Sequence, residues 1–293
     1  MQKIKFNSLE DLKKEGKSFY WGSFFLPRKL RNNVATLYSI CRYFDNIADH
    51  DDKDRSAQLK KLINEIKKNK ENKDNKFFNE NKIDLSIFDD LIKGLITDQS
   101  LIRIQNEREL VIYSYRVAGT VGLMMSKVIG ITNPKSTSAA IDLGIAMQMT
   151  NIARDVHEDA KMNRIYLPNI WIPNIDLNFL NGKKKLNSKQ NEVISGAIHN
   201  LINLSEKYYN NGFSGLKYIP FKKRLGIFIA ANVYRGIGVK IKKSGKNYLK
   251  KRIYLNFFEK LLISLRSIVI FIFIPLINYK YSKIRETLPN ENT

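Results

Sequence analysis

Two stretches decide how this chain folds: residues 34–49, VATLYSICRYFDNIAD, and residues 147–160, MQMTNIARDVHEDA. In the first, Val34, Leu37, Tyr38, Cys41, Phe44 and Ala48 recur at helical spacing, the pattern of one apolar helix face. Asp45 and Asp49 lie four residues apart, as do Asp155 and Asp159 in the second stretch. On a helix that spacing puts both carboxylates on one face, one turn apart, where like charges repel. Carboxylate pairs set among Ala, Ile and Met ask for a compensating cation. Magnesium fits, because it takes oxygen ligands, keeps several waters, and uses one or two carboxylates together with substrate phosphates. Arg42 and Arg154 stand next to or one turn from the aspartates, where a guanidinium fork suits phosphate oxygens. Gln148 and Asn151 precede Asp155 on the same helix face.

Outward from these stretches the chain reads as helical. Glycine (15) and proline (7) are scarce among 293 residues, which favours helices over a turn-rich β architecture. Pro27 ends a short element near Leu26. Residues 60–83, rich in Lys, Asn and Glu, read as a helix end and an exposed loop. Residues 85–130 return to helical spacing up to Gly130, Asn133-Pro134 marks a turn, and Ser136–Ala160 reads as one long helix. Residues 163–190 read as a long loop or mobile flap, and helices resume at 190–212 and 221–244. The segment 261–277, LLISLRSIVIFIFIPLI, is interrupted by Arg266 and Pro275. It falls short of the roughly 20 apolar residues that span a bilayer. It reads as a buried helix. Its basic flanks admit a second reading, a helix lying at an anionic membrane surface.

Composition excludes several classes. The lone Cys41 cannot form an internal disulfide, and the polar N-terminus MQKIKFNSLEDLKKEGK lacks a secretory apolar core, so a cytoplasmic location, with possible peripheral attachment to a membrane face, is the expectation. His50, His157 and His199 have no ligand spacing with Cys41, which argues against zinc. No glycine-rich nucleotide loop is present. The net charge of +22 suits anionic lipid or diphosphate partners, and a base bias of the genome toward lysine and asparagine is its bland reading. The basic residues are spread along the chain without a nucleic-acid signature, so no nucleic-acid partner is expected.

Five stretches together resemble the squalene/phytoene synthase family of head-to-head prenyl synthases: KSFYWGSFFLP (17–27), LYSICRYFDNIAD (37–49), YSYRVAGTVGLMM (113–125), MQMTNIARDVHEDA (147–160) and RIYLP (164–168). The late stretch 234–261 and the NIARDVHEDA pattern make the bacterial phytoene-forming branch the best match. The resemblance, over roughly residues 16–265, implies an all-α isoprenoid-synthase helical bundle around a central apolar cavity. Residues 1–293 are expected to form one such domain, with a basic and apolar C-terminal segment from about 261 to 293 for which a membrane surface is one reading, and a monomer is the expectation. The same resemblance implies Mg²⁺, with Mn²⁺ as a substitute, on Asp45, Asp49, Asp155 and Asp159, with Asn151 as a further ligand. It puts Lys17, Ser18, Tyr38, Arg42, Gln148, Asn151, Arg154 and Tyr234 around the diphosphates and Tyr115 near the reacting carbons.

The reaction so implied joins two geranylgeranyl diphosphates through a cyclopropane intermediate to phytoene and needs no NADPH. Squalene, dehydrosqualene or presqualene diphosphate formation from farnesyl diphosphate is the alternative within the family. A non-enzymatic assembly role is disfavoured by the four intact aspartates. Phe19, Tyr20, Trp21, Phe24, Ala118, Gly119, Val121, Gly122 and Leu123 are expected to wall the cavity against water, with plain core packing as the bland reading of each. Asn46 and Asn163 depart from the family pattern, the first where many members carry a further aspartate and the second where a glycine is common before R-x-Y-L-P.

Overall fold

The computed structural model describes residues 8–49, 54–68, 73–244, 252–273, 279–286 and 288. His50 and the end of the 261–277 segment lie outside the described residues. The described chain is helical apart from one two-residue parallel bridge, so the all-α expectation holds.

Helices α1 (Ser8–Glu15), α2 (Lys17–Ser23) and α3 (Arg28–Asp49) open the fold. They are followed by α4 (Arg55–Lys68), α5 (Lys73–Glu80) and α6 (Ile87–Thr97). Across 60–83 the expected helix end is the end of α4, while α5 stands where an exposed loop was expected. Phe78 is buried and packs edge-on against Phe88 of α6, 5.3 Å between ring centroids, and these aromatics outweigh the polar composition around them. The stretch 85–130 is not one helix. After α6 come strand β1 (Ile102–Arg103), α7 (Glu107–Ser114), a π-helical turn (Tyr115–Gly119) and α8 (Thr120–Ile129), which ends on Gly130 in the left-handed region.

Helix α9 (Pro134–Lys161) is the central element. Asn133 caps it by accepting from the Lys135 amide at 3.0 Å, and Pro134 fills the first turn, where its missing N–H costs nothing. Strand β2 (Arg164–Ile165) pairs with β1. The short α10 (Leu177–Leu180) follows, then α11 (Ser188–Ser214), opened by an Asn187/Gln190 capping box. Next come α12 (Phe221–Lys243) and α13 (Phe257–Phe273).

The region 163–190, expected as a long loop or mobile flap, carries β2 and α10 and packs onto the bundle. Tyr166, Leu167, Ile172, Ile175 and Leu180 are buried, and Arg103 holds it by donating to the Ile175 carbonyl at 2.8 Å and to Asn169. At the far end of the chain Arg285 makes a buried 2.6 Å ion pair with Asp142 in the middle of α9. Asn211 of α11 donates to the same carboxylate at 2.9 Å.

Close backbone approach sets the crossing of α8 and α9. A Cβ on Gly122 would lie 2.2 Å from the Ala140 carbonyl oxygen, and one on Gly144 would lie 2.3 Å from that of Ala118. These two glycines let the helices touch backbone to backbone.

Candidate active site

A cavity of about 800 Å³ runs along α9. Ser136, Ala140, Leu143, Met147, Asn151, Asp155 and Asp159 all line it, so one face of a single helix forms its floor from end to end. From Ser136 to Asp155 that face runs ~28 Å, at 1.5 Å per residue. One end is polar, where Asp45 and Asp49 of α3 join Asp155 and Asp159. The other is apolar, with Leu26, Ile129, Ile131, Ile219, Ile227 and Ala230.

At the polar end the two aspartate pairs, one on α3 and one on α9, line one opening. Tyr38, Arg42, Gln148, Asn151, Arg154 and Tyr234 line the same opening. The Tyr234 hydroxyl donates to Asn151 Oδ1 at 3.1 Å, and Asn151 Nδ2 donates to Gln148 Oε1 at 3.2 Å. Phe19 packs between the Tyr234 and Tyr38 rings, at 4.9 and 6.1 Å.

The carboxylates are held by cations from several elements. Arg154 grips Asp155 through Nε and Nη2 at 2.8 and 2.5 Å, and Arg252 grips the same group at 2.6 and 2.9 Å. Arg164 reaches Asp49 at 3.1 Å, while Arg42 lies 3.7 Å from Asp45 and bonds Glu15. These cations do not neutralise the cluster. Enclosure in the cavity mouth lifts Asp45 to about 7, helped by repulsion from Asp49, Asp98 and Glu15 and opposed by Arg42. Burial first, and then the charge of Asp155, push Asp159 well above the usual carboxylate range.

At this mouth Glu15, Asp45, Asp49, Asp98, Asp155 and Asp159 outnumber Arg42, Arg154, Arg164 and Arg252, and such a group of carboxylates is a fitting donor set for divalent cations. Among the described residues no three His, Cys, Asp or Glu side chains gather into a ready-made metal cage. The pairs would instead share an ion with water and phosphate oxygens, the usual habit of Mg²⁺.

Three predicted residues stand elsewhere. Lys17 and Ser18 do not line the cavity, because α2 turns Phe19, Gly22, Ser23 and, past its end, Leu26 toward it; the i, i+3, i+4, i+7 face leaves the first two positions outside. Tyr115 is 1% exposed and does not line the cavity either; its hydroxyl donates to Asp90 Oδ2 at 3.2 Å. Of the expected walls, Phe19, Ala118, Val121 and Gly122 line the cavity. Tyr20, Trp21, Phe24, Gly119 and Leu123 do not. Phe24 is exposed and Leu123 is fully buried core.

The structure adds a group that sequence reasoning missed. Asp98, just past α6, accepts from Tyr113 Oη at 3.0 Å and from Tyr166 Oη at 2.8 Å, and the two phenols stack at 4.6 Å. Arg164 Nε donates to the Asp98 carbonyl at 3.0 Å. All four residues line the cavity. Burial raises Asp98 to about 6 against the lowering effect of the two phenols and Arg164.

A helical bundle whose apolar tunnel ends between two aspartate pairs is built to hold a long hydrocarbon by a polyanionic head. This is the isoprenoid-synthase arrangement. The squalene/phytoene synthase profile matches residues 12–259, and the chain belongs to that family of prenyltransferases. The 15-cis-phytoene synthase of Enterobacter agglomerans is 31% identical over 255 residues, covering 80% of this chain and 85% of the relative. The phytoene synthase of Thermus thermophilus is 30% identical, covering 87% and 89%. The crystal structure of a dehydrosqualene synthase superposes with a TM-score of 0.76 at 25% identity, covering 90% of this chain and 94% of the other.

Proposed function

We propose that this enzyme condenses two geranylgeranyl diphosphates head to head, through prephytoene diphosphate, to phytoene and two diphosphates. The observation that carries the reading is the unbroken cavity face of α9, whose ~28 Å length gives a four-isoprene tail room to lie extended beyond the carboxylates. The relatives named phytoene synthase support the same choice.

The two diphosphates would sit at the polar end, between Asp45/Asp49 and Asp155/Asp159. Mg²⁺ bound there would supply charge neutralisation to a departing diphosphate. Arg42, Arg154, Arg164 and Arg252 add fixed positive charge at the same place, so that negative charge developing on the leaving group meets donors already oriented. Tyr38, Gln148, Asn151 and Tyr234 form the hydrogen-bonding rim that orients the heads.

Ionisation leaves an allylic cation on the donor chain. The acceptor double bond attacks it, and loss of a proton closes the cyclopropane. A second ionisation, rearrangement and proton loss complete the product. The stacked Tyr113 and Tyr166 rings present π-faces and phenolic oxygens where the heads end. Asp98, in contact with both, is placed to fix them and to draw off a proton. Apolar walls from α8, α9 and α12 keep water from the cations.

The likeness to a dehydrosqualene synthase structure favours a second reading, condensation of two farnesyl diphosphates. One experiment separates them: purified protein, Mg²⁺ and each diphosphate in turn, without NADPH, followed by analysis of the apolar extract. A C40 hydrocarbon from geranylgeranyl diphosphate, reduced at least a hundredfold in Asp45→Ala and Asp155→Ala, is expected. A C30 product from farnesyl diphosphate alone would overturn the chain-length assignment.

A further inference from the structure

Helix α13 is packed with its polarity reversed. The residues it buries include Ser264 and Ser267, and Trp21 Nε1 of α2 donates to Ser264 Oγ at 2.8 Å. The opposite face carries Phe258, Leu261, Leu262, Leu265, Val269, Ile272 and Phe273, all exposed. They recur at i, i+3, i+4, i+7, i+11, i+14 and i+15, a wide apolar stripe on one side of a helix. Phe258, Leu262 and Ile272 are 76%, 69% and 68% exposed. A buried helix, the first expectation for this segment, would show the reverse.

Apolar stripes this long are not left in water without a partner. Charge decides which partner. Between Lys240 and Arg285 the sequence carries twelve basic residues and a single acidic one, Glu259, and the whole chain has a net charge of +22. Arg285 and Arg252 pair with Asp142 and Asp155, and Lys240 pairs with Glu259, which leaves the other nine basic residues of this stretch with no acidic residue of the same stretch to balance them. A second copy of the chain would bring the same positive surplus to the contact, whereas an anionic bilayer surface complements it. No helix among the described residues is long and apolar enough to cross a membrane. A helix of 17 residues with one apolar face lies in the interface plane instead.

The place of this face in the fold gives it a use. Helix α13 rests on α12 and α2, with Phe271 against Phe228 and Trp21 against Phe257. Those same two helices supply Gly22, Ser23, Ile227 and Ala230 to the cavity wall. The stripe is therefore one helix layer from the apolar part of the tunnel. We propose that α13 is an in-plane docking helix for an anionic lipid bilayer, with Phe258, Leu262, Leu265, Val269 and Ile272 entering the acyl boundary and the surrounding lysines and arginines on the headgroups. This rests on the polarity of α13 and the local charge, and not on which diphosphate the enzyme uses.

The test is co-sedimentation of the full chain with phosphatidylcholine vesicles, with and without phosphatidylglycerol, at low salt. The protein is expected to pellet with the anionic vesicles and to lose at least tenfold in apparent affinity as Leu262→Glu or Val269→Glu. Both positions face outward, so circular dichroism and melting temperature should match the parent and separate lost docking from lost folding. Parent protein staying in the supernatant, or variants pelleting like the parent, would overturn the proposal. Equal pelleting with neutral vesicles would overturn its electrostatic part. A dimer in sedimentation velocity that Leu262→Glu dissociates would assign the face to a second copy instead.

Discussion

Asp98 sits between two phenols and carries a raised proton affinity near 6, which makes it the side chain most open to a decisive substitution. Asp98→Asn keeps the shape but removes the charge and the proton-accepting oxygen. If the Asp98–Tyr113–Tyr166 group handles a proton, kcat should fall by roughly 10²–10⁴, the usual worth of general acid–base catalysis. The limb of the pH–rate profile near pH 6 should vanish, with KM little changed. A role confined to packing would instead lower the melting temperature and leave the profile in place. Nothing in the sequence announces this group, because Asp98 is 15 residues from Tyr113 and 68 from Tyr166 and the stretches meet only through tertiary contacts, the β1–β2 bridge and the bonds of Arg103 and Arg164 among them. The aspartate pairs were legible because both members sit on one helix. Tyr115 was misplaced for a related reason: two residues along a helix is more than half a turn, and the π turn begins at that residue, so Tyr113 faces the cavity and Tyr115 faces Asp90. The departure at Asn163 has a clear cause. Its φ is 61°, the left-handed region where glycine is at ease and asparagine is the best-tolerated substitute.

At the scale of elements, α9, α11 and α12 were readable to within two residues, and α3 from residue 34 to its end though not in its first turns from Arg28, since long amphipathic periods and the Asn133-Pro134 cap are local signals. The division of 85–130 into five pieces was not, because β1 exists only through its pairing with β2. The α8–α9 crossing makes a test that needs no substrate. Gly122→Ala puts a methyl 2.2 Å from a backbone oxygen that cannot move aside cheaply, and overpacking of this kind costs about 1–3 kcal/mol. Gly196, within α11, has nothing within 4 Å of where its Cβ would stand, and Gly196→Ala should gain up to about 1 kcal/mol from helix propensity alone. Thermal or urea unfolding should therefore move in opposite directions for two chemically identical changes. Equal shifts would mean that α8 and α9 are not in backbone contact.

For the whole molecule, the carboxylate cluster links stability to pH and to cations. Asp45 at about 7, Asp98 at about 6 and Asp159 well above its ordinary range bind protons in the folded state that the unfolded chain, with carboxyls near 4, has already released. Where the folded state holds more protons, stability falls as pH rises. For Asp98 and Asp45 the contribution is thus complete below about pH 4 and is lost as pH climbs through about 6 and about 7, and Asp159 acts in the same direction. The overall charge of +22 also changes with pH, so the informative quantity is the difference between parent and Asp45→Asn. Without divalent ions the variant should gain in melting temperature relative to the parent between pH 5 and pH 8, because it carries no Asp45 charge to accommodate. Mg²⁺ with inorganic diphosphate at pH 8 should raise the parent more than the variant, since ligands that bind only the folded state stabilise it in proportion to their affinity. A parent–variant difference that stays flat across pH would mean that Asp45 titrates as an ordinary surface carboxylate. In that case the strain at the cavity mouth, which makes the site receptive to a cation, would have to come from Asp98 and Asp159 alone.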